Sequence, residues 1–280
     1  MADPVIVLIL CRGAIFGAAL MIWGASLFRW RLQPHAERMR FEGWMILCLV
    51  VAVFILLPAQ AARVSDGWGD IFEPGLLRDV IVFTTPGRSW ALQAAAITVA
   101  AFAFVMQWTR ATVLSIVIVF IAQSMTGHAA ASEGVFGYVR QANDVLHQIA
   151  AGAWLGALPY VLRLLPDVEK LDAKMILIRY SGEGHFWVSL LLVTGLIATL
   201  WIFEGIPLDW SIRYQLLWAL KVFVTMAMVG LAVCNRYFLV PRLRDRPDAL
   251  SALARATRLE IALGLLAVAL VAWFGTLEPR

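Results

Sequence analysis

The chain has 280 residues, 61% of them hydrophobic and 15% charged, with a mean hydropathy of +0.80. That apolar content excludes an ordinary water-soluble domain and makes lipid the expected solvent. The net charge of +4 and pI near 9.2 do not point to nucleic acid, because the basic residues are distributed as membrane topology requires.

A spanning helix needs roughly 20 mostly apolar residues to cross about 30 Å of hydrocarbon. Eight stretches meet this, near 5–28, 43–62, 89–108, 111–127, 142–165, 185–203, 214–239 and 253–274. The expected fold is an all-α integral membrane protein, an eight-transmembrane-helix bundle forming a single polytopic domain over 1–280. The first stretch follows Asp3 rather than a basic cluster and is longer than the apolar core of a cleavable leader, so it is expected to remain in the mature chain. The loops after stretches 1, 3, 5 and 7 hold Arg29, Arg31, Arg38, Arg40, Arg110, Arg163, Lys170, Lys174, Arg179, Arg236, Arg242, Arg244, Arg246, Arg255 and Arg258. The opposite side holds only Arg63, Arg78, Arg88, Arg140, Arg213 and Arg280. Cytoplasmic loops retain basic residues, so both termini are expected in the periplasm or outside the cell.

In the first stretch, Cys11 and Arg12 lie about two turns in, in Leu10-Cys11-Arg12-Gly13-Ala14. The fifth reads Leu146-His147-Gln148-Ile149-Ala150 and descends from the same face. The pair hints at a 4+4 parallel repeat with Cys11 in the place of His147. Between the second and third stretches, 65–86 carries Asp66, Asp70, Glu73 and Asp79 with Trp68 and Phe72, a pattern suited to a short surface helix or a solvated loop. Cys11, Cys48 and Cys234 fall within separate spans and suit packing residues or soft ligands better than a disulfide framework.

The outer ends of stretches four and five are the richest in chemistry. Met125 and His128 close one; Asn143, Asp144 and His147 open the other. Residues three apart share a helical face, and a short connection makes the two helices neighbours, so both imidazoles can reach one site. Thioether, imidazole and thiolate are what soft Cu(I) prefers, and Met125, His128, His147 and Cys11 supply all three. Asp144 suits an acceptor that fixes the tautomer of a ligating His147, and Trp154, seven residues on, suits a wall. Each histidine alone reads equally well as an interfacial or packing residue; the pair beside Met125 favours function. Arg12 and Lys221 are intramembrane cations suited to gating or to an acidic partner such as Asp144. Below them, Met21, Met226, Met228, Cys48, Cys234 and His185 suggest a descending relay, although methionine is also a common packing residue. Gly152 and Gly156 form a small-residue repeat for close helix approach.

In order along the chain stand Gly127-His128-Ala129, Leu146-His147, Ala150-Ala151-Gly152-Ala153-Trp154-Leu155-Gly156, Arg179-Tyr180-Ser181, Thr194-Gly195, Lys221, Asn235-Arg236 and Glu260. This series, spanning mainly 127–275, resembles the CopD family of bacterial copper resistance membrane proteins. The chain departs from the pattern at Gln215 after Tyr214 and at Cys11-Arg12, where a histidine is expected. The resemblance implies an inner-membrane protein that handles copper, importing it from the periplasm beside a small periplasmic carrier of the CopC type, and not an enzyme. With the soft donors above, the expected activity is inward movement of Cu(I), captured at Met125, His128 and His147 and leaving near Cys234 or His185. The resemblance also implies metal-binding roles for His128 and His147. A phosphate-cradling loop is absent from the sequence, so neither nucleotide nor nucleic acid is an expected partner. Two other readings of the same residues are a copper-binding delivery factor that transports nothing, and a b-type haem electron carrier with His128 and His147 as axial ligands.

Overall fold

A computed structural model describes residues 3–65, 67–127, 134–168, 170–203, 209–242 and 248–278. Asp66, Arg244, Arg246 and Arg280, which entered the charge pattern, lie outside the described residues, as does His128. The described residues are helical, without strands: α1 (Pro4–Leu32), α2 (Arg40–Val64), α3 (Pro74–Phe83), α4 (Thr85–Val105), α5 (Thr109–Ser124), α6 (Gly134–Leu155), α7 (Leu158–Leu164), α8 (Leu171–Phe203), α9 (Arg213–Cys234), α10 (Val240–Arg242) and α11 (Asp248–Phe274). Seven helical stretches, built on α1, α2, α4, α6, α8, α9 and α11, are long and apolar enough to cross a membrane. The 16 residues of α5 reach about 24 Å and fall short of that length.

Helix α1 is the hub. It packs against α2, α5, α6 and α11, and from Gly17 to Ser26 every residue is buried. A helix surrounded on all sides needs no polar stripe, which is why α1 is apolar around its whole circumference. Its closest neighbour is α6: a Cβ on Gly24 would lie 1.9 Å from the carbonyl oxygen of Gly152, and one on Gly156 would lie 2.6 Å from that of Leu20. Only glycine permits that approach, so the small-residue repeat of α6 docks onto α1. Large apolar side chains such as Phe54, Phe102, Leu196 and Phe223 stand exposed on the perimeter, as a lipid-facing surface requires.

Several boundaries differ from the sequence expectation, α6 beginning eight residues early at Gly134 among them, and three have a local cause. The stretch expected at 142–165 is broken at Gly156 and Ala157, and α7 restarts with Pro159 in its first turn, where a missing N–H costs nothing. The helix expected from 185 begins at Leu171, because Gly182 and Gly184 lie in open space and do not interrupt it. The stretch ending near 239 leaves α-geometry at Cys234 and passes through a π-helical turn, Asn235–Leu239, before Pro241, which cannot donate a backbone bond. The acidic 65–86 segment forms a 3₁₀ turn, Asp70–Phe72, and the short helix α3.

The arginine-rich end is tied by a network the sequence reading did not assemble. Arg29 at the foot of α1 forms a 2.8 Å ion pair with Glu42 at the start of α2, and both side chains are buried. Tyr160 of α7 donates its hydroxyl to Glu42 at 2.5 Å, and the Met39 N–H donates to the same carboxylate. Three segments thus converge on one acid.

Candidate functional site

His147 lies on α6 and turns its imidazole toward α8. Its Nδ1 is 3.0 Å from Oγ1 of Thr194, and the ring also bonds to the backbone of Leu191. The Thr194 hydroxyl donates its single proton to the carbonyls one turn back, 2.6 Å from Leu190 and 3.1 Å from Leu191. With the hydroxyl proton so placed, its oxygen accepts from Nδ1–H, a tautomer that puts the ring lone pair on Nε2. This is how an outer partner orients a metal-ligating imidazole. The next residue, Gly195, makes room for the ring: a Cβ there would lie 3.3 Å from Cε1 of His147. Asn143, one turn earlier on α6, donates to the Thr194 carbonyl at 3.1 Å and pins the two helices at this level.

Charge surrounds the imidazole. Asp144 accepts from Gln148 at 3.2 Å, so it holds a neighbour on its own helix rather than His147. Lys221, on α9, lies within electrostatic range of both Asp144 and His147. An acid, an imidazole and an amine from two helices thus share one level of the bundle. The structure brings Asp144, His147 and Lys221 together; the sequence pattern paired Asp144 with His147 and offered Asp144 as an acidic partner for Lys221.

The other predicted residues separate into groups. Met125 ends α5, which packs along α6, and is half-buried; His128, three residues later, lies outside the described residues. Cys11 is buried in the apolar cluster between α1 and α2, with Cys48 packed against it. Arg12 reaches the carbonyl of Gly275 at 3.4 Å, capping the C-terminal end of α11 where a cation is favoured. Met21 and Met228 share a buried cluster with Trp154, Leu158 and Leu191, directly below His147. Met226 and Cys234 point outward from α9, and His185 pairs with the Tyr237 hydroxyl at 3.3 Å near the surface.

Below that cluster, a second polar group gathers most of the remaining sequence motifs. Glu260 of α11 is buried and accepts from Asn235, on the π-helical turn, and from the indole of Trp154. Tyr180 of α8 donates to the Trp154 carbonyl at 3.2 Å, and Arg236 donates to the carbonyl and hydroxyl of Ser181. Glu260 thus pairs across helices with Asn235 and Trp154. Among the described residues, no group of three or more His, Cys, Asp or Glu side chains is placed to hold a metal ion. A copper site here has to draw on methionine or on residues outside that set.

A bundle of apolar helices with an oriented imidazole at one level and a buried carboxylate at another defines a polytopic membrane protein with internal polar stations. Residues 1–138 match the copper resistance protein D-like N-terminal domain, and residues 174–274 match copper resistance protein D. The chain is 30% identical over 278 residues to the inner membrane protein YebZ of Escherichia coli (strain K12), covering 94% of this chain and 95% of that one. It is 28% identical to copper resistance protein D of Pseudomonas syringae pv. tomato, covering 100% and 98% of the two chains. It is 27% identical to the copper transport protein CutJ of Bacillus subtilis (strain 168), covering 83% of this chain and 44% of that protein. No solved structure matches it significantly. The chain belongs to the copper resistance protein D family and is a multi-pass inner-membrane protein with a copper-related role.

Proposed function

We propose that this protein carries Cu(I) from the periplasm to the cytoplasm, admitting it at Met125, His128 and His147. The observation that carries the reading is the His147 imidazole, whose Nδ1 is engaged by Thr194, an arrangement that favours the tautomer with its lone pair on Nε2. A soft monovalent ion suits imidazole and thioether donors, and Asp144 beside Lys221 offsets local positive charge as a cation arrives. In this account eight segments cross the membrane, α5 included, the arginine-rich loops are cytoplasmic and both termini are periplasmic. Met21 and Met228 receive the ion below His147, and it leaves near Cys234 or His185. Cys11 and Cys48, in their own cluster, form a separate soft-donor pair rather than part of the entry site. The copper donor in this reading is a periplasmic carrier of the CopC type.

One observation favours a second reading. Directly below His147 the way is filled by the side chains of Met21, Trp154, Leu158 and Leu191, a packed apolar cluster. A protein that only receives copper at its outer face and passes it to a periplasmic partner needs no path through that cluster.

Copper uptake into proteoliposomes under reducing conditions distinguishes the two. The transport reading expects wild-type uptake well above empty liposomes, lost in both His128→Ala and His147→Ala. Stoichiometric copper binding without wild-type uptake would establish the delivery reading instead.

A further inference from the structure

At the arginine-rich end, where α1 finishes and α4 gives way to α5, lies a cavity of about 540 Å³ bordered by Arg29, Trp30, Gln107, Trp108, Thr109 and Arg110. We propose that this cavity is a binding site for the phosphate headgroup of an anionic phospholipid.

Four features converge on that ligand. First, the cavity is rich in positive charge. Arg29 lines it while 4% exposed; it bonds Thr109 at 3.3 Å and Glu42 at 2.8 Å, yet its Nε–H has no acceptor. Arg110 stands over the Trp30 ring at 5.7 Å and has no carboxylate within ion-pair distance among the described residues. Arg38 stands behind the cavity rather than in its lining, within electrostatic range of Arg29; it donates to the Phe104 carbonyl and stacks on the Phe104 ring at 4.1 Å, with its Nε and Nη2 unpartnered. Burial, followed by the proximity of Arg29, pushes its guanidinium below the ordinary value. The charge here exceeds what Glu42 answers.

Second, the N-terminus of α5 opens onto the cavity. Its N-cap residue, Trp108, provides no side-chain acceptor, and Thr109, Arg110 and Ala111 of the first turn line the space. The Thr109 N–H is taken by the Gln107 carbonyl at 3.0 Å, which leaves those of Arg110 and Ala111, at the positive end of a 16-residue helix, as the anion cradle. Third, the joint is built at a cost. Trp108 N–H bonds the Ala103 carbonyl and Gln107 N–H that of Phe104, closing α4 in the way a glycine normally permits, yet the left-handed position is Gln107, at φ 61°. That strained residue borders the cavity. Fourth, Trp30 and Trp108 are exposed beside the arginines, and indoles settle at the headgroup level of a bilayer. A free phosphate would use the cation cradle but not the two indoles, whereas a lipid uses both.

The test is retention of dioleoylphosphatidylglycerol against dioleoylphosphatidylcholine by the purified full-length protein, read by native mass spectrometry and by thermal shift in detergent. The wild type is expected to retain phosphatidylglycerol preferentially and to gain melting temperature from it. Arg110→Gln should lower that retention about five-fold, the factor expected of one basic residue at a charged surface. Arg255→Gln, at an exposed arginine of α11, should not. Equal retention of the two lipids overturns the proposal, as does equal loss in both variants, which would mean diffuse surface attraction. Inorganic phosphate alone reproducing the full thermal shift also overturns it, by assigning the cavity to a soluble anion.

Discussion

Helices α1 and α6 are held by glycine-to-backbone contacts, and 50% and 61% of their most apolar stretches are buried. For α8 and α9 the corresponding fractions are 11% and 17%. In a bilayer, apolar burial does not by itself drive helices together, so these fractions separate a central pair from two perimeter helices, α8 packed along α6 and α9 along α11, whose other faces turn outward. The candidate site lies where the two groups meet: His147 and Asp144 come from central α6, Thr194, Gly195 and Lys221 from perimeter helices α8 and α9.

The contrast can be broken most severely at the arginine-rich end. Glu42→Ala leaves Arg29 buried without its acid and should cost about 3–5 kcal/mol, read as a loss of melting temperature or of monodisperse protein on size exclusion. Next, Gly24→Ala drives a methyl group into the Gly152 backbone and should cost about 1–3 kcal/mol by the same thermal assay. Thr194→Val removes the acceptor that fixes the His147 tautomer while keeping the shape, and should weaken Cu(I) binding about ten-fold in competition with a chromogenic chelator, with little change in stability. Smallest of all, Gly230→Ala in α9, where nothing lies near the added methyl, should be neutral or stabilise by up to about 1 kcal/mol. If Gly230→Ala destabilised as much as Gly24→Ala, the distinction between the two helix pairs would be lost.

Much of this architecture is legible in the sequence. Long apolar runs located the spanning helices, and the Gly152–Gly156 repeat announced a close approach. The partner glycine on α1 could not be read, since α1 offers Gly13, Gly17 and Gly24 at suitable spacings and only docking selects among them. Pro159 marked the break after α6 in plain view, but the apolar run continues through it and hydropathy overrode the punctuation. At the site, His147 and Asp144 were visible as polar residues on one helical face. Thr194 and Gly195 were visible only as a motif, because a hydrogen bond between helices 47 residues apart leaves no local period. The same holds for Glu260, Asn235, Trp154 and Tyr180, each separately noticeable and united only by packing. Glu42 was overlooked because an acid beside a span reads as solvated headgroup-level charge; its spacing of three from Met39 at the helix start was the available signal.

In the proposed function, His147 oriented by Thr194 binds copper. X-ray absorption at the copper K-edge of the Cu(I)-loaded full-length protein tests it most directly. The account predicts imidazole and sulfur scattering in the wild type and a loss of imidazole amplitude in His147→Ala. A His147→Ala spectrum superimposable on that of the wild type would contradict it.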